Sequence, residues 1–498
     1  MTNTKQHQHD DYYAFVWTYL HYYVLPITTH IILLLIYLIP IYSTPPALEP
    51  VFDEFQIFRD RNQDVWSENV TVIELFQHDY WGTPLQDFNS NRSWRPMSVL
   101  SFRFVRFFTG ANSMGEMVYL NRLVNVILHA CTAEMVGMLS CRMFVKLGHE
   151  KNLASLTILR TLSKLLFGLH PTHVEVAANG ANRAHVLGML CSLIALDERL
   201  PIIFSYLAYA VGLLSCETCI FFLPAILITL VTCRWTTTEQ TSDSLKESLR
   251  NLIPRLLALS NLAFIYIFIR LIFGLLSINE LLFKDIISPF FKFQGFRRIS
   301  NYAMVTAIHI LKGLFVDPVG QAHEYAYDCI PEVQGLSDWR ILLFPTVILL
   351  FTITAFYAFR TNLYYFMYYL TFCAWFLTLF PITGIITTGT FIADRLVYPS
   401  TVASCIFGAR AIVYVLFELP KKQYLKKSFA IMFMIVFLLK KSEQVFYLTK
   451  SWTTRPGMLR MTLNTCPNNA KAILEMGMIQ LQPESLPKGV EQNPALAM

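Results

Sequence analysis

Apolar residues are gathered into runs of near-constant length between Tyr23 and Tyr447, with charge, Pro and Asn concentrated in the gaps. Crossing a bilayer as a helix takes about 20 apolar residues, whereas a barrel strand needs only about ten. The pattern therefore predicts an all-α polytopic membrane protein and excludes a β-barrel. About eleven spans are expected, at 23–41, 118–140, 152–169, 185–198, 201–216, 219–233, 256–277, 341–359, 363–384, 396–417 and 428–447. The first run follows a polar stretch with few cations and reads as a retained signal anchor.

The gaps are unequal. The segment Ser43–Arg95 is too long and too charged for a turn, with Asp53, Glu54, Asp60, Asp64, Glu68, Glu74, Asp79 and Asp87. It also carries two N-x-[ST] sequons, at Asn69 and Asn91, which make those asparagines glycosylation candidates and favour a lumenal loop. With residues 1–22 cytosolic, alternate connections hold Arg142/Lys146/Lys151, Arg199, Arg234/Lys246/Arg250/Arg255, Arg360 and Lys421/Lys422/Lys426/Lys427, as the positive-inside rule requires. Lys440 and Lys441 stand at the other end of the last span and oppose that register. Eleven spans leave the C-terminus lumenal. Within the non-cytosolic segments, Met97–Phe108 places Arg103 and Arg106 on one face among Phe and Val, the pattern of an interfacial amphipathic helix. Residues 286–316 read as one or two re-entrant helices.

Composition sharpens this picture. The chain is 54% hydrophobic and 15% charged, with mean hydropathy +0.43, against about 25% charged residues in soluble domains. A soluble enzyme, a coiled coil and a disordered chain are excluded. A net charge of +6 without a polybasic tract points away from nucleic acid. The ten cysteines are scattered, mostly in apolar segments, without the spacing of a disulfide framework or a zinc site.

Ionisable groups collect on the lumenal side: Asp53-Glu54, His78-Asp79, Arg92 and Arg95, His170-Pro171-Thr172-His173-Val174-Glu175, Arg183, His323-Glu324 and Asp394-Arg395. Charge at a membrane boundary is expensive and marks function by default. A carboxylate that accepts a hydroxyl proton, beside cations that stabilise a departing phosphate, forms one coherent chemistry. The lipid setting suggests a phosphate carried on a polyprenyl chain. His170 and His173 lack a further ligand set for zinc, and Cys216-x-x-Cys219 reads as packing or a local disulfide rather than a redox centre.

In order along nearly the whole chain, the sequence resembles the transmembrane and TPR-containing O-mannosyltransferases. The matching elements are Phe52-Asp53-Glu54, His78-Asp79-Tyr80-Trp81-Gly82, Arg92-Ser93-Trp94-Arg95-Pro96, Leu123–His129, His170-Pro171-x-His173-x-Glu175 and Arg183-Ala184. Asp338-x-Arg340, Ala393-Asp394-Arg395 with Tyr398-Pro399-Ser400, and Cys466-Pro467-Asn468-Asn469-Ala470-Lys471 complete the set. Departures fall at Asn91 (a histidine position), at His185 (an acidic position), at Cys216 (a lysine position) and at Cys219 (a glycine position). The resemblance implies a GT-C glycosyltransferase fold with lumenal loop helices. It implies a membrane domain over 23–450, with lumenal segments 43–109 and 277–340, and a partial TPR and tail over 451–498. It further implies an endoplasmic-reticulum enzyme that moves mannose from dolichyl-phosphate mannose to Ser or Thr of secretory or membrane proteins, cadherin-like acceptors included, with no cofactor and no metal. On this reading Asp53 is the base, Glu54 its alternative, and Asp79 lies near the acceptor. Arg95, Arg183 and Arg395 meet the donor phosphate, while His170, His173, Glu175 and Asp394 position these groups. The alternative is a catalytically inactive scaffold of the same fold that binds lumenal proteins. A lone TPR repeat cannot bury its apolar face without neighbours, so the stub is expected to pack as a cap on the membrane domain.

Overall fold

The computed structural model describes residues 24–43, 49–59, 62–145, 153–237, 242–275, 290, 292–386 and 390–481. The expected cytosolic N-terminus 1–22, the start of the segment 277–340 and the tail after Leu481 lie outside the described residues. Within them the chain is helical, with one isolated antiparallel bridge between His78 and Pro84. The longer helices, numbered in chain order, are α1 Leu25–Ser43, α2 Pro96–Thr109, α3 Met114–Phe144, α4 Leu153–Gly168, α5 Arg183–Ala195, α6 Ile202–Ser215, α7 Leu223–Thr237, α8 Ser242–Ile272, α9 Gly295–Gly313, α10 Leu343–Thr361, α11 Leu363–Phe376, α12 Thr401–Val413, α13 Tyr424–Ser451, α14 Arg455–Thr465 and α15 Ala470–Leu481.

A helix stands at each expected span. Among the described residues, seven stretches are long and apolar enough to cross a membrane: Leu25–Ser43, Met114–Phe144, Glu217–Thr236, Lys246–Ile272, Trp339–Thr361, Leu363–Thr383 and Thr401–Glu418. The chain is a multi-pass membrane protein. Helices α4, α5 and α6 are shorter, at 16, 13 and 14 residues, and α13 carries Lys426, Lys427, Lys440 and Lys441. Shortness is tolerable where a helix is enclosed by protein rather than lipid. Helix α4 packs on α3 and α12, and α5 on α3 and α6.

Helix α3 runs through the centre, against α1, α4, α5 and α7. Its approach to α4 depends on Gly137, where an added Cβ would lie 2.7 Å from the Arg160 carbonyl oxygen. Small residues permit such close backbone approach in membrane bundles. The same interface holds Glu134 between Lys164, at 2.7 Å, and the Nε of Arg160, at 2.6 Å. Each charge there is satisfied by another, as a low-dielectric setting demands.

The two ends of the bundle differ. At one, Arg142, Arg199, Arg234 and Arg255 gather on the corner made by Asp197, Glu198 and Leu200; these are four of the cations assigned to the cytosolic side by sequence. At the other end, the 49–109 segment, the 170–182 turn, the Asp394-Arg395 turn and the C-terminal helices meet. Helix α2 is amphipathic as expected, and Phe104, Phe107 and Phe108 are exposed. Its arginines, however, face protein: Arg103 donates to the carbonyls of Asp64, at 2.9 Å, and Val70, at 2.7 Å. Helix α9 accounts for the described part of the expected re-entrant region and is tied by Lys312 to Asp394, at 2.8 Å.

Helices α14 and α15 form a hairpin docked on residues 320–329. The Cys329–Cys466 disulfide joins the two across 137 residues. Thr465 donates to the Gln321 carbonyl at 2.6 Å, and the Asn469 amide donates to the carbonyls of Glu324, at 3.3 Å, and Ala326, at 3.1 Å. The cysteine spacing gave no sign of this disulfide, because its partners are too far apart in sequence for spacing to reveal them. Cys216 and Cys219 remain free thiols.

Replacing Gly137 with Ala is expected to push α3 from α4, because the opposing atom is backbone and cannot rotate away. Overpacking of this kind costs about 1–3 kcal/mol, read as a lower thermal midpoint of the purified protein with unchanged helix content.

Candidate active site

Asp53 and Glu54 open a single helical turn, Glu54–Ile57, and the structure gives these neighbours opposite fates. Glu54 is completely buried. Its two oxygens accept from Arg122 Nε at 2.9 Å and Nη2 at 2.5 Å, from the Val51 N–H at 3.0 Å and from the Gly180 N–H at 2.6 Å. Four donors leave that carboxylate no lone pair for a substrate proton, so the alternative assignment of the base to Glu54 is corrected. Asp79 is likewise spent: it accepts from the Trp81 and Thr83 N–H groups, each at 3.0 Å, from the Ser90 hydroxyl at 2.8 Å and from the Asn91 N–H at 3.2 Å. It organises its own loop.

Asp53 is half-buried, and no described residue donates a hydrogen bond to its carboxylate. Withdrawal from water pushes it up to about 6, against the pull of Arg395, with Glu175 raising it further and Arg95 and Lys471 lowering it. The residue before it, Phe52, has φ +47°. A left-handed conformation at a bulky residue costs about 1–3 kcal/mol and persists only where the surroundings enforce it.

The three predicted arginines converge on this region. Arg95, which precedes α2, lies over the Tyr80 ring at 5.0 Å and is held bidentately by Glu217, at 2.7 and 2.6 Å. Arg395 is paired with Glu175, whose second oxygen accepts the Arg395 backbone N–H at 2.9 Å. Arg183 is 1% exposed, and its partners among the described residues are neutral: the Asn121 and Asn125 side chains, the Asn121 carbonyl and the Ser101 hydroxyl. Its guanidinium lies 5.2 Å from the Phe102 ring centroid. Tyr80 links the set: its hydroxyl donates to the Ala181 carbonyl, and it feels the charges of Arg95, Arg183 and Asp53. A buried cation without a counter-ion is costly, and such groups mark sites that receive an anion.

The histidines belong to the supporting layer. The rings of His170 and His173 stack at 4.9 Å. His170 Nδ1 is hydrogen-bonded to Thr172, at 2.8 Å, and His173 Nε2 to Thr401, at 2.9 Å. Burial pushes His170 down to about 3 and His173 well below its ordinary value, so both are neutral and supply no charge to a phosphate. Among the described residues no group of three or more His, Cys, Asp or Glu is arranged to hold a metal ion. Asp394 accepts from Lys312 and from the Tyr325 hydroxyl, at 2.9 Å, and so fixes the turn that carries Arg395. Asn69 and Asn91 are exposed, with Asn91 Oδ1 bonded to the Ser93 hydroxyl at 2.6 Å.

Sequence reasoning did not single out Glu217, Tyr80, Arg122, Asn121 or Lys471 as site residues. Glu217 and Lys471 lie inside motifs already noted, but their partners come from segments far away in the chain. Two of the departures, His185 and Cys216, meet at 3.8 Å between Nδ1 and Sγ.

Fold and site define a multi-span membrane protein with a carboxylate, Asp53, that no described residue engages by a hydrogen bond, set among arginines at one end of its helical bundle. The curated proteins to which it is similar are named protein O-mannosyl-transferases. The chain is 24% identical over 438 residues to protein O-mannosyl-transferase F38B6.6 of Caenorhabditis elegans, covering 85% of this chain and 56% of that protein. It is 23% identical over 468 residues to TMTC4 of Homo sapiens, covering 86% and 60%. To TMTC1 of Mus musculus it is 38% identical over 134 residues, covering 27% and 13%. The chain thus spans no more than 60% of the length of these relatives. No protein-family model matches it. Among solved structures, the Archaeoglobus fulgidus oligosaccharyltransferase AglB aligns at TM-score 0.47 and 14% identity, over 96% of this chain and 61% of that one.

Arg122→Met is expected to strand the buried Glu54 carboxylate. Breaking a buried pair in this way costs about 3–5 kcal/mol, so the variant should purify in low yield with a markedly lower thermal midpoint, whereas Glu54→Gln with Arg122→Met should recover part of the loss.

Proposed function

We propose that this chain is a glycosyltransferase of GT-C type that transfers mannose from dolichyl-phosphate mannose to Ser or Thr hydroxyls of secretory-pathway or membrane proteins. The observation that carries the proposal is the unengaged Asp53 carboxylate facing Arg95 and Arg395, with the unpaired-charge cation Arg183 beside them. Kinship to protein O-mannosyl-transferases supports the sugar and the acceptor class.

In the reaction, the acceptor oxygen attacks the anomeric carbon while its proton passes to a carboxylate oxygen of Asp53. The anomeric C–O bond breaks, its electron pair leaves with the phosphate oxygen, and dolichyl phosphate departs with inversion at the sugar. Fixed guanidinium groups stabilise charge that grows on the phosphate. Arg183 meets that charge with no carboxylate to desert. Arg95 and Arg395 are held in place by Glu217 and Glu175, whose negative charge also tempers their grip on the product. A catalytically inactive scaffold is the second reading, favoured by Cys216 standing where the resemblance implies a lysine. Cadherin-like acceptors rest on the resemblance alone.

The site end is assigned to the lumen of the endoplasmic reticulum, with the N-terminus cytosolic and the C-terminus lumenal. Three observations support this: the Cys329–Cys466 disulfide, which needs an oxidising compartment; the exposed sequon residues Asn69 and Asn91; and the arginine cluster at the opposite end.

The test uses purified protein with dolichyl-phosphate mannose and an acceptor peptide. Asp53→Asn should lower transfer by about two to four powers of ten with thermal stability retained; turnover near wild type in that variant removes Asp53 as base, and no transfer by the wild-type chain favours the scaffold. A base works only as the carboxylate, so kcat/KM should fall as pH drops through about 6. A profile flat across that range would exclude the assignment.

A further inference from the structure

The backbone that presents Asp53 is strained at Phe52, and what restrains it comes from the other end of the chain. The Phe52 ring meets the edge of His323 at 5.3 Å, and the Lys471 ammonium lies 5.8 Å from the Phe52 ring centroid. Lys471 also lies 5.6 Å from the Tyr327 centroid and donates to Glu324 at 2.7 Å. His323 is itself pinned by the hairpin: its backbone N–H donates to the Thr462 hydroxyl at 3.1 Å, and its Nδ1 is bonded to the same oxygen at 2.6 Å. The 320–329 segment beneath is fastened to the hairpin by the Cys329–Cys466 disulfide and by the Ala470 N–H, which donates to the Tyr327 carbonyl at 3.4 Å. On the opposite flank of Asp53, Arg122 reaches from Glu54 to the Thr453 carbonyl at 3.2 Å. The C-terminal segment therefore grips both neighbours of Asp53, Phe52 directly and Glu54 through Arg122.

We infer that Lys471 is a positioning residue for Asp53: from the C-terminal hairpin it clamps Phe52 in its left-handed turn and sets its positive charge toward the adjacent carboxylate. The hairpin then completes the catalytic site, beyond the capping role expected of a lone repeat. The inference rests on the assignment of Asp53 as base. The charged groups around the pair are Arg95, Glu175 and Arg395 near Asp53, and Glu324 and Glu475 near Lys471. With those unchanged, removal of the Lys471 charge favours the protonated form of Asp53 and raises the pH at which it ionises.

The experiment measures protonation of Asp53 without turnover. Dicyclohexylcarbodiimide adds across a protonated carboxyl and the adduct rearranges to a stable N-acylurea, so Asp53 modification in the full chain is quantified by peptide mass spectrometry across a pH series. In Lys471→Met the midpoint should rise by about half a unit to one unit, while Lys471→Arg keeps the wild-type midpoint. Lys471→Gln, which retains a donor for Glu324, should rise as well and serves if the Met variant does not fold. Where transfer is measurable, the acidic limb of kcat/KM moves in the same direction and the donor KM does not. A midpoint unmoved in both neutral variants overturns the inference, as does a midpoint moved equally by Lys471→Arg. A midpoint that shifts as expected in a chain that transfers no mannose supports the inference and counts against the proposed activity alone.

Discussion

Arg122 and Glu54 form an ion pair in which both side chains are 0% exposed, and four parts of the chain are arranged around it. Arg122 projects from α3, Glu54 from the loop that follows α1, the Gly180 N–H from the turn before α5, and the Thr453 carbonyl from the turn after α13. Desolvating two charges is expensive, and their attraction offsets the cost only when the remaining donors and acceptors are also used. Here they are, with Val51 and Glu49 filling the other positions. Such a pair adds little net stability over an apolar substitute, but it tolerates one geometry. That geometry fixes the loop end from which Asp53 projects.

The division of labour between adjacent carboxylates follows from that constraint. Glu54 is consumed by structure, which leaves Asp53 unengaged one residue earlier, on a backbone turned by Phe52. The same logic sorts the cations. Lys312 and Arg122 are matched to carboxylates and hold elements together. Arg95 and Arg395 have carboxylate partners yet remain partly open, and Arg183 has amides and a hydroxyl in place of a counter-ion. A gradient from neutralised to unneutralised cations, running toward one acid, is what a site for transfer from a phosphate leaving group requires.

Much of this was legible along the chain. Span length exposed the helices, because a bilayer imposes its thickness on whatever crosses it. The alternation of cations was legible for the same reason, and Arg142, Arg199, Arg234 and Arg255 do share one end. Helix α2 was visible from its Phe and Arg periodicity, although that periodicity did not reveal that Arg103 binds the loop carbonyls of Asp64 and Val70. Asp53, Arg95, Arg183 and Arg395 were all marked, since charged residues beside apolar runs are few. Glu54 and Asp79 were marked on equal grounds, and sequence offers no means to separate a satisfied carboxylate from a free one.

The sequence by itself determined the class of fold, where its apolar helices lie and the pool of ionisable residues, because each depends on local composition and on the membrane. Tertiary structure alone decided which members of that pool are engaged by other groups and which are left open. Whether an acid is spent or available depends on donors up to 126 residues away, as with Gly180 and Glu54. Whether a hairpin is an appendage or a wall of the site depends on contacts such as Cys329 with Cys466 and Lys471 with Phe52. Hydrogen bonds and charge interactions act over a few ångströms whatever the separation along the chain, and only the folded path brings those ångströms about.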